Sequence, residues 1–461
     1  KKKNYLNSSY TKFDNKIGFN CYKELNNNVV LNFPYKDCIL EGGQNREEDK
    51  RQEIFFNEIL AKKEIKRLFE PKVLTNFKKY NQDGETQVEK FNRNADGVIT
   101  DNLLIKGNNL IALHSLVEEF RGKVKLIYID PPYNTGNDGF KYNDSFNHST
   151  WLCFMKNRLE IARELLREDG IIFIQCDDNE QAYLKVLTDE VFERGNFISN
   201  FIWKKRKTQA NLTKYIAVSH EYILCYSKIK DILTINKVDL KEDYVNSMYK
   251  NPDNDTRGLW MTKPLASPDN TPNKEFELNL RNGRTIKAKW RVSQETYDKW
   301  LSDNLIVIPN NGNGMPRAKV FLRDNKGQIP NTLLIDIATT EEGSKEIEKL
   351  FGSNSIFRYP KPEALIKRIM EISTNENDIV LDFFAGSGTT GAVAHKMNRQ
   401  WIMIEQMDYI EDITKERLKK VVGKKVKQDG NLLENIEFDN SGIIKKLKSV
   451  FGMFWSFKHY R

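Results

Sequence analysis

Apolar residues fall into two textures along the chain, and the change comes near residue 100. Residues 1 to 100 are polar and lysine-rich, and only Arg51 to Phe69 has apolar spacing suited to an amphipathic helix. From Asp101 short apolar runs bounded by turns alternate with helical spacing, the pattern of strand–helix repeats in a parallel sheet. Asn102 to Lys106 and Val124 to Asp130 read as buried strands around a helix Asn108 to Phe120. A helix Thr150 to Arg167, a strand Gly170 to Cys176 and a helix Asp178 to Arg194, started by Asp177-Asp178, come next. Two further strands, Phe197 to Trp203 and Glu221 to Ser227, flank a stretch from Lys204 to Tyr215 that is too polar for a core element. Between about Lys228 and Ser355 the alternation gives way to turn signals around short segments such as Thr285 to Val292 and Lys319 to Leu322. It resumes with a helix Lys361 to Ser373, a strand Ile379 to Phe384, a helix Ser387 to Lys396 and a strand Trp401 to Glu405.

This order predicts an α/β fold, a doubly wound, mostly parallel sheet drawn from two separated stretches, with an inserted α+β domain. The expected divisions are an N-terminal extension 1–100, one half of the main domain 101–228, the insert 229–355, the other half 356–425, and a basic and aromatic segment 426–461. The length of 461 residues suits two or three such domains. No apolar run approaches the roughly 20 residues of a bilayer span, and the first residues lack the apolar region of a signal peptide. A cytoplasmic protein without membrane insertion is the expectation. The five cysteines have neither disulfide nor zinc spacing, so reduced thiols and no metal are expected. A net charge of +9 favours a polyanionic partner only weakly until motifs are considered.

Two motifs carry chemistry. Asp382 to Gly391, DFFAGSGTTG, follows an apolar strand and opens a helix, so its glycines permit a tight turn and close approach of the backbone to a ligand. With Glu405 ending the next strand as an acceptor for ribose hydroxyls, this is a nucleotide-like cofactor site, of the dinucleotide or the methyl-donor kind. Asp130-Pro131-Pro132-Tyr133 sits where a strand ends, the place of ligand sites in open parallel sheets. The prolines fix the backbone and leave carbonyls as acceptors, Asp130 is a second acceptor, and Tyr133 offers a flat face. That cradle suits an exocyclic amine whose two N–H groups are drawn away, leaving its lone pair aimed at a donor methyl.

Together DPPY and FAGSG resemble the amino-methyltransferases that act on DNA. DPPY precedes the insert and FAGSG follows it, an order similar to the β-class of N6-adenine methyltransferases, whose Rossmann-like fold is circularly permuted. Stretches such as NLLIKGNNLIALHSL and KVKLIYIDPPYNTGNDGFKYNDSFNHSTWL look like the modification subunits of type III restriction systems and their solitary relatives, over about Lys36 to Leu418. The resemblance implies a sequence-specific enzyme moving a methyl from S-adenosylmethionine to N6 of an adenine flipped out of double-stranded DNA. Asp130, Pro131, Pro132 and Tyr133 would be catalytic. Asp382, Phe383, Ala385, Gly386, Ser387 and Gly388 would contact the cofactor and Glu405 its ribose, while Lys361-Pro362 resembles the cofactor-side helix motif. Gly107-Asn108-Asn109-Leu110 matches the family's G-D-N-L segment near the cofactor adenine, with Asn108 in place of aspartate.

For DNA, Lys204, Lys205, Arg206 and Lys207 form a basic run suited to phosphates. In the insert Arg281, Arg284, Lys289 and Arg291 lie beside Trp290, Tyr297 and Trp300, a set suited to backbone contact and base-edge readout. The resemblance leaves open a homodimer and a helicase-nuclease restriction subunit as partners. Alternatives are an N4-cytosine methyltransferase, a non-catalytic specificity subunit, an RNA methyltransferase, and an NAD enzyme that would leave DPPY unexplained. Comparing binding of S-adenosylmethionine with that of NAD separates the last.

Overall fold

A computed structural model describes residues 30–41, 54–70, 75–81, 84–88, 90–136, 146–208, 215–267, 274–280, 283–422 and 452–456. They divide into two units, one of residues 1–236 and 331–461, the other Lys237–Pro330.

The first unit holds an eleven-stranded sheet: β1 Thr75–Asn81, β2 Gly84–Gln87, β3 Asn102–Lys106, β4 Val124–Ile129, β5 Leu166–Cys176, β6 Phe197–Lys204, β7 His220–Ser227, β8 Leu333–Leu334, β9 Ile379–Asp382, β10 Gln400–Glu405 and β11 Gly452–Ser456. Their order is β8-β6-β7-β5-β4-β9-β10-β3-β11-β1-β2. The central five, β5-β4-β9-β10-β3, are parallel, whereas β7 runs antiparallel to both β5 and β6. Strands β9 and β10, from the second stretch of sequence, lie between β4 and β3 from the first. The sheet is thus closed from two separated pieces, and the carboxyl ends of β4 and β9 lie side by side.

Every residue of β4 and β9 is buried, because helices cover both faces of a parallel sheet and strands there read as unbroken apolar runs. The main core runs through β3, β4 and β5 into the helices α1 Asn109–Phe120 and α2 His148–Leu165. Three more helices, α3 Gln181–Phe192, α4 Glu363–Ser373 and α5 Thr389–Lys396, complete the strand–helix repeats.

Several expectations are corrected. The stretch Arg51 to Phe69 is not one helix: Ile54–Asn57 pairs antiparallel with Cys38–Glu41, and only Lys62–Phe69 is helical. A three-residue apolar run has no period to distinguish strand from helix. Asp177 does not start α3; its carboxylate accepts from the Asn179 amide in a turn, and the helix begins at Gln181. Lys361 and Pro362 precede α4 rather than forming its first turn. Gly452–Ser456, within the basic and aromatic segment, is a strand between β3 and β1, parallel to the first and antiparallel to the second.

The second unit pairs Trp260–Pro264, Arg317–Phe321 and Ile306–Val307 in an antiparallel sheet, with a hairpin of Lys274–Asn279 and Thr285–Trp290 and helices Glu242–Met248 and Gln294–Ser302. Its core gathers Leu265, Leu278, Ile286, Trp290 and Tyr297.

Candidate active site

At the carboxyl ends of β4 and β9 one cavity is lined by all four residues of Asp130-Pro131-Pro132-Tyr133 and by Asp382, Ala385, Gly386, Ser387, Glu405 and Lys361. Residues 252 positions apart in the chain, Asp130 and Asp382, share it because their strands are neighbours.

On the glycine-loop side, the Asp382 carboxylate accepts from the Phe384 amide at 2.9 Å and from the Thr390 hydroxyl at 2.6 Å. Burial pushes this carboxyl up to about 7. Glu405 accepts from the amides of Gly386 at 2.9 Å, Gln406 at 2.8 Å and Met407 at 3.0 Å, so its carboxylate ties the loop to the end of β10. Gly386 and Gly388 have φ of 52° and 80°, in the left-handed region where a Cβ is strained. A Cβ on Gly388 would also meet Thr414 Cγ2 at 3.0 Å. Behind the loop the fully buried Arg417 guanidinium donates to Thr389 Oγ1 at 2.8 Å and to Glu363 at 3.1 Å, locking the start of α5 to that of α4.

On the tetrapeptide side, Trp151 Nε1 donates to the Pro132 carbonyl at 2.8 Å and holds the turn. Among the described residues no donor reaches the Pro131 carbonyl. Asp130 Oδ1 accepts from the Tyr133 hydroxyl at 2.6 Å and Oδ2 from the Lys361 ammonium at 2.5 Å. Burial raises the Asp130 carboxyl, an effect opposed by Lys361 and reinforced by Glu221. Burial alone would lower the Lys361 ammonium, but Asp130 and Glu221 outweigh it and hold it above its usual range.

Glu221, at the start of β7, is a member of this cluster that sequence reasoning missed. Its Oε2 accepts from Tyr133 at 3.0 Å and from Gln175 at 2.6 Å, and Lys205 reaches Oε1 at 3.2 Å. Gln175 in turn accepts from the Tyr128 hydroxyl at 2.5 Å. The only signal in the sequence is a carboxylate opening an apolar strand beside a basic run.

Other assigned residues fall elsewhere. The Asn108 carboxamide oxygen caps α1, accepting from Leu110 at 3.0 Å and Ile111 at 3.4 Å, and Asn108 is not among the lining residues. Phe383 is buried in the main core and Phe384 lines the cavity in its place. Gly388 and Pro362 cap α5 and α4. Of the basic run, Lys205 pairs with Glu221 and Lys207 with Glu342, while Arg206 is exposed and lines the cavity. Lys204 is the last residue of β6, half-buried. In the second unit Arg284, Lys289 and Arg291 are exposed, and Arg281 lies outside the described residues. Trp290 and Tyr297 are buried in that unit's core beside Leu278 and Ile286 of the hairpin, with Trp300 packed against it, so Trp290 and Tyr297 are not presented for base readout.

Comparison with known proteins agrees with this geometry. The model of a family described as DNA methylase matches residues 124–416, which contain both motifs. The chain is 39% identical, over 91% of its length and 72% of the relative, to the probable type III restriction-modification enzyme HindVI Mod subunit of Haemophilus influenzae. It is 34% identical to the StyLTI Mod subunit of Salmonella typhimurium, over 66% of this chain and 51% of the relative. With the EcoPI Mod subunit of Escherichia phage P1 it shares 31% identity over 74% of this chain and 65% of the relative. The chain therefore spans between about half and three quarters of the length of these curated relatives. With a family match over most of its length and both motifs meeting in one cavity, the chain belongs to the DNA methylase family.

Proposed function

We propose that the protein transfers a methyl group from S-adenosylmethionine to the exocyclic N6 of an adenine flipped out of double-stranded DNA. The observation that carries this reading is the single cavity in which Asp130-Pro131-Pro132-Tyr133 faces the Asp382-to-Glu405 end of the sheet. S-adenosylmethionine fits the second end: two buried carboxylates suit a cationic ligand with ribose hydroxyls, and Gly386, which carries no side chain, lines the cavity beside them. When bound, this cofactor supplies a methyl group activated on a sulfonium.

The chain's own residues do the rest. The Pro131 carbonyl and Asp130 accept the two N–H groups of the amine, which turns its lone pair away from them. The Asp130 carboxylate offsets the positive charge that develops on the nitrogen and takes the proton it sheds. Tyr133 offers a face whose stacking returns roughly 1–3 kcal/mol, against an unstacking cost of roughly the same size. An aspartate at the first position of the tetrapeptide favours adenine, and analysis of methylated nucleosides distinguishes it from N4-cytosine.

Cofactor binding should depend on pH through Asp382. Burial pushes its carboxyl from the ordinary value near 4 up to about 7, so below that pH the free protein holds a proton there that a cationic ligand expels. A raised folded value means that this group's contribution to stability is complete below about 4 and is lost as pH rises through about 7. Affinity for S-adenosylmethionine should correspondingly rise between pH 5.5 and 7.5. Calorimetric titration should show this rise, and Asp382→Asn should flatten it; equal slopes in both proteins would exclude the role.

The fit to nucleic acid rests on exposed cations in each unit. Neutralising Arg206 and Lys207 together should make the slope of log affinity against log salt shallower by roughly 2, about 0.9 for each phosphate that a cation no longer neutralises. An unchanged slope would remove this loop from the DNA surface. Because the relatives are named as modification subunits, a restriction subunit is the partner to test by co-purification, with dimerisation tested by light scattering. Among the described residues no helix is long and apolar enough to cross a membrane.

A further inference from the structure

Both oxygens of Asp130 are engaged before any amine arrives, one by the Tyr133 hydroxyl at 2.6 Å and the other by the Lys361 ammonium at 2.5 Å. The ammonium also lies 5.2 Å from the centre of the Tyr133 ring. A cation so placed opposes the positive charge that develops on the amine nitrogen during transfer, and it occupies the acceptor that the amine needs. Asp130 can serve only if these two donors have somewhere else to go.

Glu221 is placed to receive them. Its Oε2 is already 3.0 Å from the Tyr133 hydroxyl and 3.8 Å from the Lys361 ammonium. Its own position does not depend on either, because Gln175 holds it at 2.6 Å from the adjacent strand β5 and Lys205 at 3.2 Å from the end of β6. Gln175 is oriented by Tyr128, so the carboxylate is anchored through three strands of the sheet.

We propose that Glu221 is a positioning residue that takes over Tyr133 and Lys361 from Asp130 when the target amine enters, leaving the Asp130 carboxylate to the amine. Small movements suffice: the ammonium shortens one contact from 3.8 Å and lengthens another from 2.5 Å, while the hydroxyl turns its single proton from Asp130 Oδ1 to Glu221 Oε2, already 3.0 Å away. This deepens the function proposed above and rests on Asp130 being the amine acceptor.

The test is a double-mutant cycle in the full chain, with Glu221→Gln, Lys361→Met and their combination. Single-turnover methyl transfer is measured at saturating DNA and S-adenosylmethionine, with both dissociation constants determined separately. Glu221→Gln should slow transfer by about 100-fold with either dissociation constant changed less than about threefold; in the Lys361→Met background, where there is no cation to remove, the same change should cost less than about threefold. An unaffected rate in Glu221→Gln, or the same loss in both backgrounds, would overturn the handover. If circular dichroism shows that Glu221→Gln does not fold, Glu221→Asp, which keeps the charge one methylene short, is judged by the same two criteria. Asp130→Ala measured alongside separates the two levels: an active Asp130→Ala overturns the parent reading, whereas an inactive one with an indifferent Glu221→Gln overturns the handover alone.

Discussion

Asp130→Ala should lower the rate of methyl transfer by about 1000-fold or more while the protein still folds and binds its cofactor. The size follows from losing two roles at once, a positioned acceptor for the amine and a negative charge facing the nitrogen as it becomes positive; one such electrostatic interaction is worth roughly 100- to 1000-fold in an active site. The fold should survive because the buried cation that Asp130 now neutralises, Lys361, has Glu221 at 3.8 Å as a second partner. Tyr133→Ala should also impair transfer, through loss of the stacking face. Radiolabelled methyl transfer to DNA, with cofactor affinity and circular dichroism as controls, checks both. Near-normal turnover in Asp130→Ala would remove the cradle from the mechanism.

Glu405→Ala should be the most damaging change on the cofactor side. The carboxylate accepts three backbone amides, from Gly386, Gln406 and Met407, and Glu405 is buried, so alanine leaves three donors without their acceptor. Each would cost about 1–3 kcal/mol, partly offset by relief of the burial that raises this carboxyl, for a net loss of about 3 kcal/mol. That is a large fraction of the stability of an ordinary domain. Because the Gly386 turn loses its tether as well as the ribose its acceptor, cofactor affinity should fall by more than about 100-fold, two charge-assisted hydrogen bonds being worth that much. Glu405→Gln should lie between: its carbonyl oxygen can keep Gln406 and Met407, but its NH2 then faces the Gly386 amide, donor against donor. Thermal unfolding and calorimetric titration measure the two effects, and an alanine variant with unaltered unfolding would contradict the tether.

Both motifs were readable in the sequence because each occupies the point where an apolar run stops. Val124–Ile129 ends in Asp130, and Ile379–Asp382 ends in the glycine loop, so the end of the strand marks the site. The splitting of the sheet across the insert was visible for the same reason: strand–helix alternation leaves a strong periodic trace wherever it occurs. What the sequence hid depends on contacts between distant residues. Lys361 is legible as part of the cofactor-side motif, but its pairing with Asp130 is not, because that contact forms only where β9 and the helix before it pack beside β4. Glu221 resembles any polar residue at a strand end until the antiparallel pairing of β7 with β5 sets it beside Gln175. Asn108 shows the converse, a motif position whose oxygen serves its own helix, since a side chain one residue before a helix finds the free amides first. The aromatics of the insert misled because alternating Trp and Tyr read equally as a core or as a reading surface, and burial decides for the core in Trp290 and Tyr297.

The measurement that bears most directly on the central claim is nucleoside analysis by mass spectrometry of duplex DNA treated with the purified protein and S-adenosylmethionine, run in parallel with Asp130→Ala. The wild-type protein should yield N6-methyladenine, and the variant none above background. N4-methylcytosine as the product, or N6-methyladenine from both proteins in similar amounts, would contradict the proposed mechanism.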